Sequence, residues 1–186
     1  MSSSQIHPES TSHLPPLSFA QEESNWYAVH TKARHEKWVA AQFEEKRVCT
    51  FLPLLRQIHR WSDRRVKVEV PMFSCYAFVR MVQTVEERLK VLRTPGVLGF
   101  VGSERQGTPI PDEQIESLRK AISENVPCLP YPFISEGKRV RIRGGSLDGV
   151  EGILMRQGAD QSLVISVELL QQSVSVQVEG YDIELV

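Results

Sequence analysis

Apolar and polar residues recur in two different rhythms along this chain, and the change of rhythm divides it. Asn25-Trp26-Tyr27-Ala28-Val29-His30 is short and rich in β-formers, which predicts a strand. Val39 and Phe43 then fall four residues apart, with Trp38 and Ala40 beside them and charges on the other face, predicting a helix over 34–47. Residues 49–55 are apolar around Phe51 and read as a strand or strand edge. Residues 64–70 alternate charge with Val66, Val68 and Val70, the mark of a half-buried strand, and 75–82 is apolar enough for a central one. Thr84 and Glu87 form a capping-box pattern ahead of a helix that should carry Val85, Leu89 and Leu92 inward. Pro95-Gly96 stops that helix before a strand at 97–101. Residues 112–123 place Ile115, Leu118 and Ile122 on one stripe, a third helix. The order β-α-β-β-β-α-β-α over 25–123 is that of a compact α+β domain with an antiparallel sheet.

After this the texture changes. Residues 124–135 hold three prolines, which fix φ and remove donors, so a stiff extended linker is expected. Five short β-rich runs follow, at 139–142, 151–155, 163–169, 173–178 and 182–186, separated by Gly, Asp, Gln and Ser. That spacing over 136–186 suggests a small SH3-like barrel. Val174, Val176 and Val178 alternate with polar residues, and the glycines of this stretch disfavour a helix, so β structure is expected throughout. At the other end, residues 1–24 are rich in Ser, Pro, Gln and Glu and read as a disordered leader.

Composition narrows the class. Of 186 residues, 41% are hydrophobic and 24% charged, ordinary values for a globular protein. No apolar run approaches the ~20 residues that span a bilayer, and the start lacks the pattern of a secretory signal. Cys49, Cys75 and Cys128 lie far apart, which favours neither zinc nor a disulfide framework and fits a reducing cytoplasm. The net charge of −1 conceals an asymmetry. Residues 25–68 carry ten Lys/Arg against four Asp/Glu, whereas 144–186 carry one Arg against seven acids. A basic first half suits a polyanion or an acidic protein surface, although blocks of one sign are also common on solvated faces. The phosphate-cradling P-loop pattern, the G-x-S-x-G elbow and the H-E-x-x-H motif are all absent, so no enzyme, metal or cofactor is expected.

Residues 137–154 carry Gly144-Gly145 at a strand end, Gly149 at the next bend and Gly152 within the following strand, and together they resemble a KOW motif. Trp26-Tyr27-Ala28-Val29, the run 72–81, the run 93–102 and Pro109-Ile110-Pro111-Asp112 together resemble the N-terminal (NGN) domain of NusG-family transcription elongation factors. The resemblance covers residues 25 to 186 in family order. Phe51-Leu52-Pro53-Leu54 through Arg60-Trp61-Ser62-Asp63-Arg64-Arg65 looks like the specialised paralogues of the UpxY, LoaP and RfaH type.

The resemblance implies an NGN-type antiparallel sheet flanked by helices, linked to a C-terminal KOW barrel. It implies a monomeric factor with no membrane partner that docks on the clamp helices of the RNA polymerase β′ subunit. Such a factor bridges to the β gate loop and suppresses pausing and termination. Phe73, Tyr76 and Phe78 match the family's apolar contact region, with Tyr27 beside it; core packing is the competing reading of these aromatics, Trp26 above all. Lys32 matches a basic position that meets non-template DNA, and Arg34 and Lys37 join it by proximity. Arg88 lies where specialised members carry a polar, Thr-rich gate-loop motif. Leu169 and Leu170 retain the apolar part of the site by which the KOW domain recruits Rho or a small-subunit ribosomal protein. Ser74-Cys75 stands where the family has Pro-Gly or Pro-Asn. The rival reading is a KOW-containing RNA-binding or ribosome-associated protein, supported by the basic run 138–143.

Overall fold

The computed structural model describes residues 23–60, 65–102, 106–124, 126–134, 137–157, 160–178 and 180–186. The expected leader therefore lies outside the described residues as far as residue 22, as do Trp61 to Arg64 of the paralogue-like segment.

β1 (Asn25–Thr31) lies between β5 (Tyr76–Met81) and β6 (Val97–Phe100), with β2 (Cys49–Phe51) beyond β5 and the two-residue β7 (Pro109–Ile110) also on β1. Every ladder is antiparallel. Pleating sends successive side chains of β1 to opposite faces. Tyr27 and Val29 join Val39 and Phe43 of α1 (Glu36–Glu45) and Val91 of α2 (Val85–Leu92) on one face. Trp26 and Ala28 join Ile115, Leu118 and Ala121 of α3 (Asp112–Ser123) on the other.

Helix α1 starts two residues later than its periodicity predicts, because Arg34 adopts φ 64°, outside the helical region. The apolar run 49–55 is divided at Pro53, whose carbonyl accepts the Met72 amide at 2.8 Å. Beyond it, β3 (Leu54–Arg60) pairs with β4 (Arg65–Pro71) in a separate two-stranded ribbon. Thr84 caps α2, its Oγ1 accepting the Glu87 amide at 3.2 Å. The facing of α2 differs from expectation. Val91 is buried, while Val85, Leu89 and Leu92 are exposed. The helix is only eight residues long and rests on the sheet through its last turn, so its apolar stripe faces solvent.

The C-terminal region is all β. Its five expected strands are β9 (Arg139–Arg143), β10 (Glu151–Gln157), β11 (Asp160–Val167), β12 (Gln172–Gln177) and β13 (Asp182–Leu185). The proline-rich segment expected as a linker adds a further strand, β8 (Cys128–Tyr131), paired with β12. Prolines suit an edge, where one row of amides needs no partner. The order β13-β9-β10-β11-β12-β8 is an open path, and no ladder closes it into a barrel among the described residues. Gly152 lets β10 and β11 approach, since a Cβ there would lie 2.5 Å from the Val164 carbonyl oxygen.

Helix α3 connects the two regions. The Glu151 amide donates to Ser117 Oγ at 3.2 Å, the Glu168 amide to Gln114 Oε1 at 3.3 Å, and Lys120 Nζ to the Asp148 carbonyl. Ile115 and Leu118 share an apolar cluster with Val140 and Ile165.

Candidate functional site

Three of the four aromatics expected at a contact surface are buried. Tyr27 is 2% exposed, Phe73 1% and Phe78 0%, and Trp26 is also fully buried. The reason lies in the turn before β5. Strict alternation would put Phe73 and Phe78 on opposite faces, but Cys75 takes φ 68° and breaks the pleat. Phe73 therefore turns onto Phe78, edge to face with centroids 5.9 Å apart. Phe51 stacks on Phe78 at 6.2 Å, and Arg119 lies 5.1 Å from the Trp26 ring and 5.2 Å from Phe51. An exposed aromatic cluster is thus corrected to a core; burying a Phe side chain is worth about 1.5–3 kcal/mol, which a solvated cluster forgoes. Tyr76 stays half-buried and stacks at 5.3 Å on exposed His30, its cross-strand neighbour. The guanidinium of half-buried Arg88 lies 5.9 Å from the Phe100 ring, on the opposite face of the sheet from Phe78.

The basic residues behave otherwise. Lys32, Arg34 and Lys37 are all exposed at the β1–α1 junction. His35 N–H closes a tight turn onto the Lys32 carbonyl at 3.1 Å, with Arg34 at the position where positive φ favours glycine. The Lys32 amide donates to the Gly96 carbonyl at 2.8 Å, fixing the turn against the α2–β6 connection. Glu36, in the first turn of α1, is 5% exposed and accepts the Cys75 amide at 2.7 Å. The Cys75 carbonyl in turn accepts the Thr31 amide at 2.8 Å. The one acid of the segment 32–38 is therefore turned inward, where it also meets the positive end of the helix dipole. Its basic neighbours face solvent together, and no ion pair among the described residues involves Lys32, Arg34 or Lys37.

Sequence reasoning missed the Glu36 staple and the backbone strain at Arg34 and Cys75. The former could not be anticipated, because Glu36 falls inside a helix expected from residue 34 and its partner is a backbone amide 39 residues away. The left-handed residues are Arg and Cys rather than Gly or Asn, so the sequence carries no marker for the latter.

Where the C-terminal sheet meets α3, Leu170 is buried and Leu169 half-buried in the short 3-10 turn between β11 and β12, with Gln171 at φ 52°. Leu169 is the member of the pair that reaches the surface. Burial pushes the Cys128 thiol up to about 11, so it stays protonated near neutrality. Among the described residues, no group of three His, Cys, Asp or Glu is placed to hold a metal, and no helix is long and apolar enough to cross a membrane.

The chain matches the family described as "Transcription termination factor nusG" over residues 24–119. It is 29% identical to the transcription termination/antitermination protein NusG of Staphylococcus carnosus over 174 residues, covering 86% of this chain and 94% of that protein. It is 24% identical to the protein of that name from Lactococcus lactis over 183 residues, covering 87% and 93%. A solved structure titled "Domain interaction in Thermotoga maritima NusG" superposes with a TM-score of 0.54 at 21% identity, covering 88% of this chain and 98% of that one, and so shares the fold. The proteins of this family are transcription factors rather than enzymes. The chain belongs to the NusG family.

Proposed function

We propose that this chain is a transcription elongation and antitermination factor, specialised for particular operons, that binds RNA polymerase through its first module. The observation that carries this reading is the family match over residues 24–119, which contain every candidate polymerase and DNA residue. The docking surface is the rim around Tyr76 and His30, supported from below by the buried Phe73 and Phe78, with Tyr27 on the opposite face of the sheet. This rim meets the β′ clamp helices, and Arg88 faces the β gate loop. Half-buried aromatics at the centre of a small patch fit the pattern of protein hot spots. Lys32, Arg34 and Lys37 follow the non-template strand of the transcription bubble, their exposure and like charge suiting a polyanion. The C-terminal sheet offers Leu169 to Rho or to a small-subunit ribosomal protein.

The test is binding of the purified chain to bacterial RNA polymerase. A stable complex is expected, weakened by roughly 1–3 kcal/mol in Tyr76→Ala if the aromatic sits at the centre of the contact. Capture of ribosomes or free RNA in place of polymerase would favour the KOW-based RNA-binding reading and overturn this one.

A further inference from the structure

Trp38 is the only Trp, Tyr or Phe that is exposed among the described residues; 46% of it faces solvent. It stands on the outer face of the first turn of α1, three residues after His35, whose ring meets it edge-on with centroids 6.4 Å apart. Its six-membered ring also lies near the Pro95–Gly96 connection, where a Cβ on Gly96 would lie 3.5 Å from Trp38 Cζ3, 3.6 Å from His35 Cβ and 2.9 Å from Val39 Cγ2. The indole is thus supported by His35 and by a glycine, with much of its surface left open. Lys32, Arg34 and Lys37 lie within six residues of it, all exposed, and the intervening Glu36 is withdrawn onto the Cys75 amide.

Cations alone track a phosphate backbone and discriminate little between a strand with bases and one without. An open aromatic among them adds a surface on which any base can stack. We propose that Trp38 is a stacking platform for one unpaired base of a single-stranded nucleic acid, braced by His35, with Lys32, Arg34 and Lys37 taking the flanking phosphates. The proposal rests on the reading that this basic turn faces the non-template strand, and adds to it a base-contacting residue. Arg34 is consistent with it: its backbone is left-handed at φ 64°, a conformation that a glycine adopts freely, so the guanidinium is held here against backbone preference.

The experiment measures affinity of the full chain, by fluorescence anisotropy, for a labelled oligothymidylate of about 12 nucleotides and for an abasic strand of equal length and charge. The wild type should bind the thymidine strand roughly tenfold tighter, with the same salt dependence for both. Trp38→Ala should erase that preference without changing the salt dependence, and Trp38→Phe should keep part of it. The double variant Lys32→Ala/Arg34→Ala should keep the preference and flatten the salt dependence, by about 0.7 in slope for each phosphate no longer neutralised. Because Trp38 is half in solvent, the Trp38 variants should melt with the wild type, and circular dichroism verifies their fold. Equal, salt-dependent affinity of the wild type for both strands overturns the stacking proposal and leaves the electrostatic reading standing. A preference that survives in Trp38→Ala overturns it as well. Binding to neither strand rejects the single-strand reading itself and the proposal with it.

Discussion

Two sets of residues in the first module met opposite fates. The aromatic set, Trp26, Tyr27, Phe73 and Phe78, folded inward, and only Tyr76 kept part of its ring at the surface. The basic set, Lys32, Arg34 and Lys37, stayed outside, and the acid among them went in. Phe73, Tyr76, Phe78 and Lys32 fall on family contact regions by resemblance, and Arg34 and Lys37 by proximity to Lys32. What separated them is the asymmetry of desolvation: an aromatic gains by burial wherever space allows, whereas an unpaired ammonium or guanidinium does not. A motif match therefore locates a contact region, and burial decides which of its residues touch the partner and which only shape the surface.

The largest expected effect follows directly. Phe78→Ala should destabilise the chain by about 3–5 kcal/mol, whereas Lys37→Ala should stay within about 0.5 kcal/mol, both read from denaturant unfolding. A small cost for Phe78→Ala would show that this ring is not core and would restore it to the contact surface. Gly152→Val comes next. Its side chain would meet the Val164 carbonyl, so about 1–3 kcal/mol should be lost, with hydrogen exchange quickening in β10 and β11 before it does in β1. A smaller change of opposite sign is expected for Arg34→Gly, which relieves a left-handed backbone. It should stabilise the fold by roughly 0.5–1 kcal/mol while weakening single-strand binding, a stability gain set against function. The smallest effect is at α2. Val85→Ser should shift the melting midpoint hardly at all, within about 0.5 kcal/mol, since Val85 is 74% exposed at the start of the helix.

Most of the fold was legible. Helix α3 was placed by its stripe of Ile115, Leu118 and Ile122, and the five C-terminal strands by their period of two and their glycine punctuation. Helix α2 existed where the Thr84 cap put it, but its inward face was misread, because an apolar spacing does not say whether another element covers it. The strand at Cys128–Tyr131 was hidden by two prolines flanking it and one within it, residues tolerated at a sheet edge and otherwise read as linker. In the candidate site, the exposure of Lys32, Arg34 and Lys37 was legible from their charge, while their candidacy came from the family resemblance at Lys32 and from proximity to it. The burial of Phe73 was not legible, because it depends on the left-handed Cys75, a conformation that a cysteine does not advertise.

The proposed engagement of RNA polymerase by the Tyr76 rim of the first module would sustain elongation. Its most direct test is single-round transcription by purified bacterial RNA polymerase through a pause and an intrinsic terminator, titrated with the full chain. Shorter pauses and a saturable rise in read-through are expected. Tyr76→Ala should need at least about fivefold more protein to match it, the lower end of a hot-spot loss. Pausing and read-through that stay unchanged at saturating protein, or termination that increases, would contradict it.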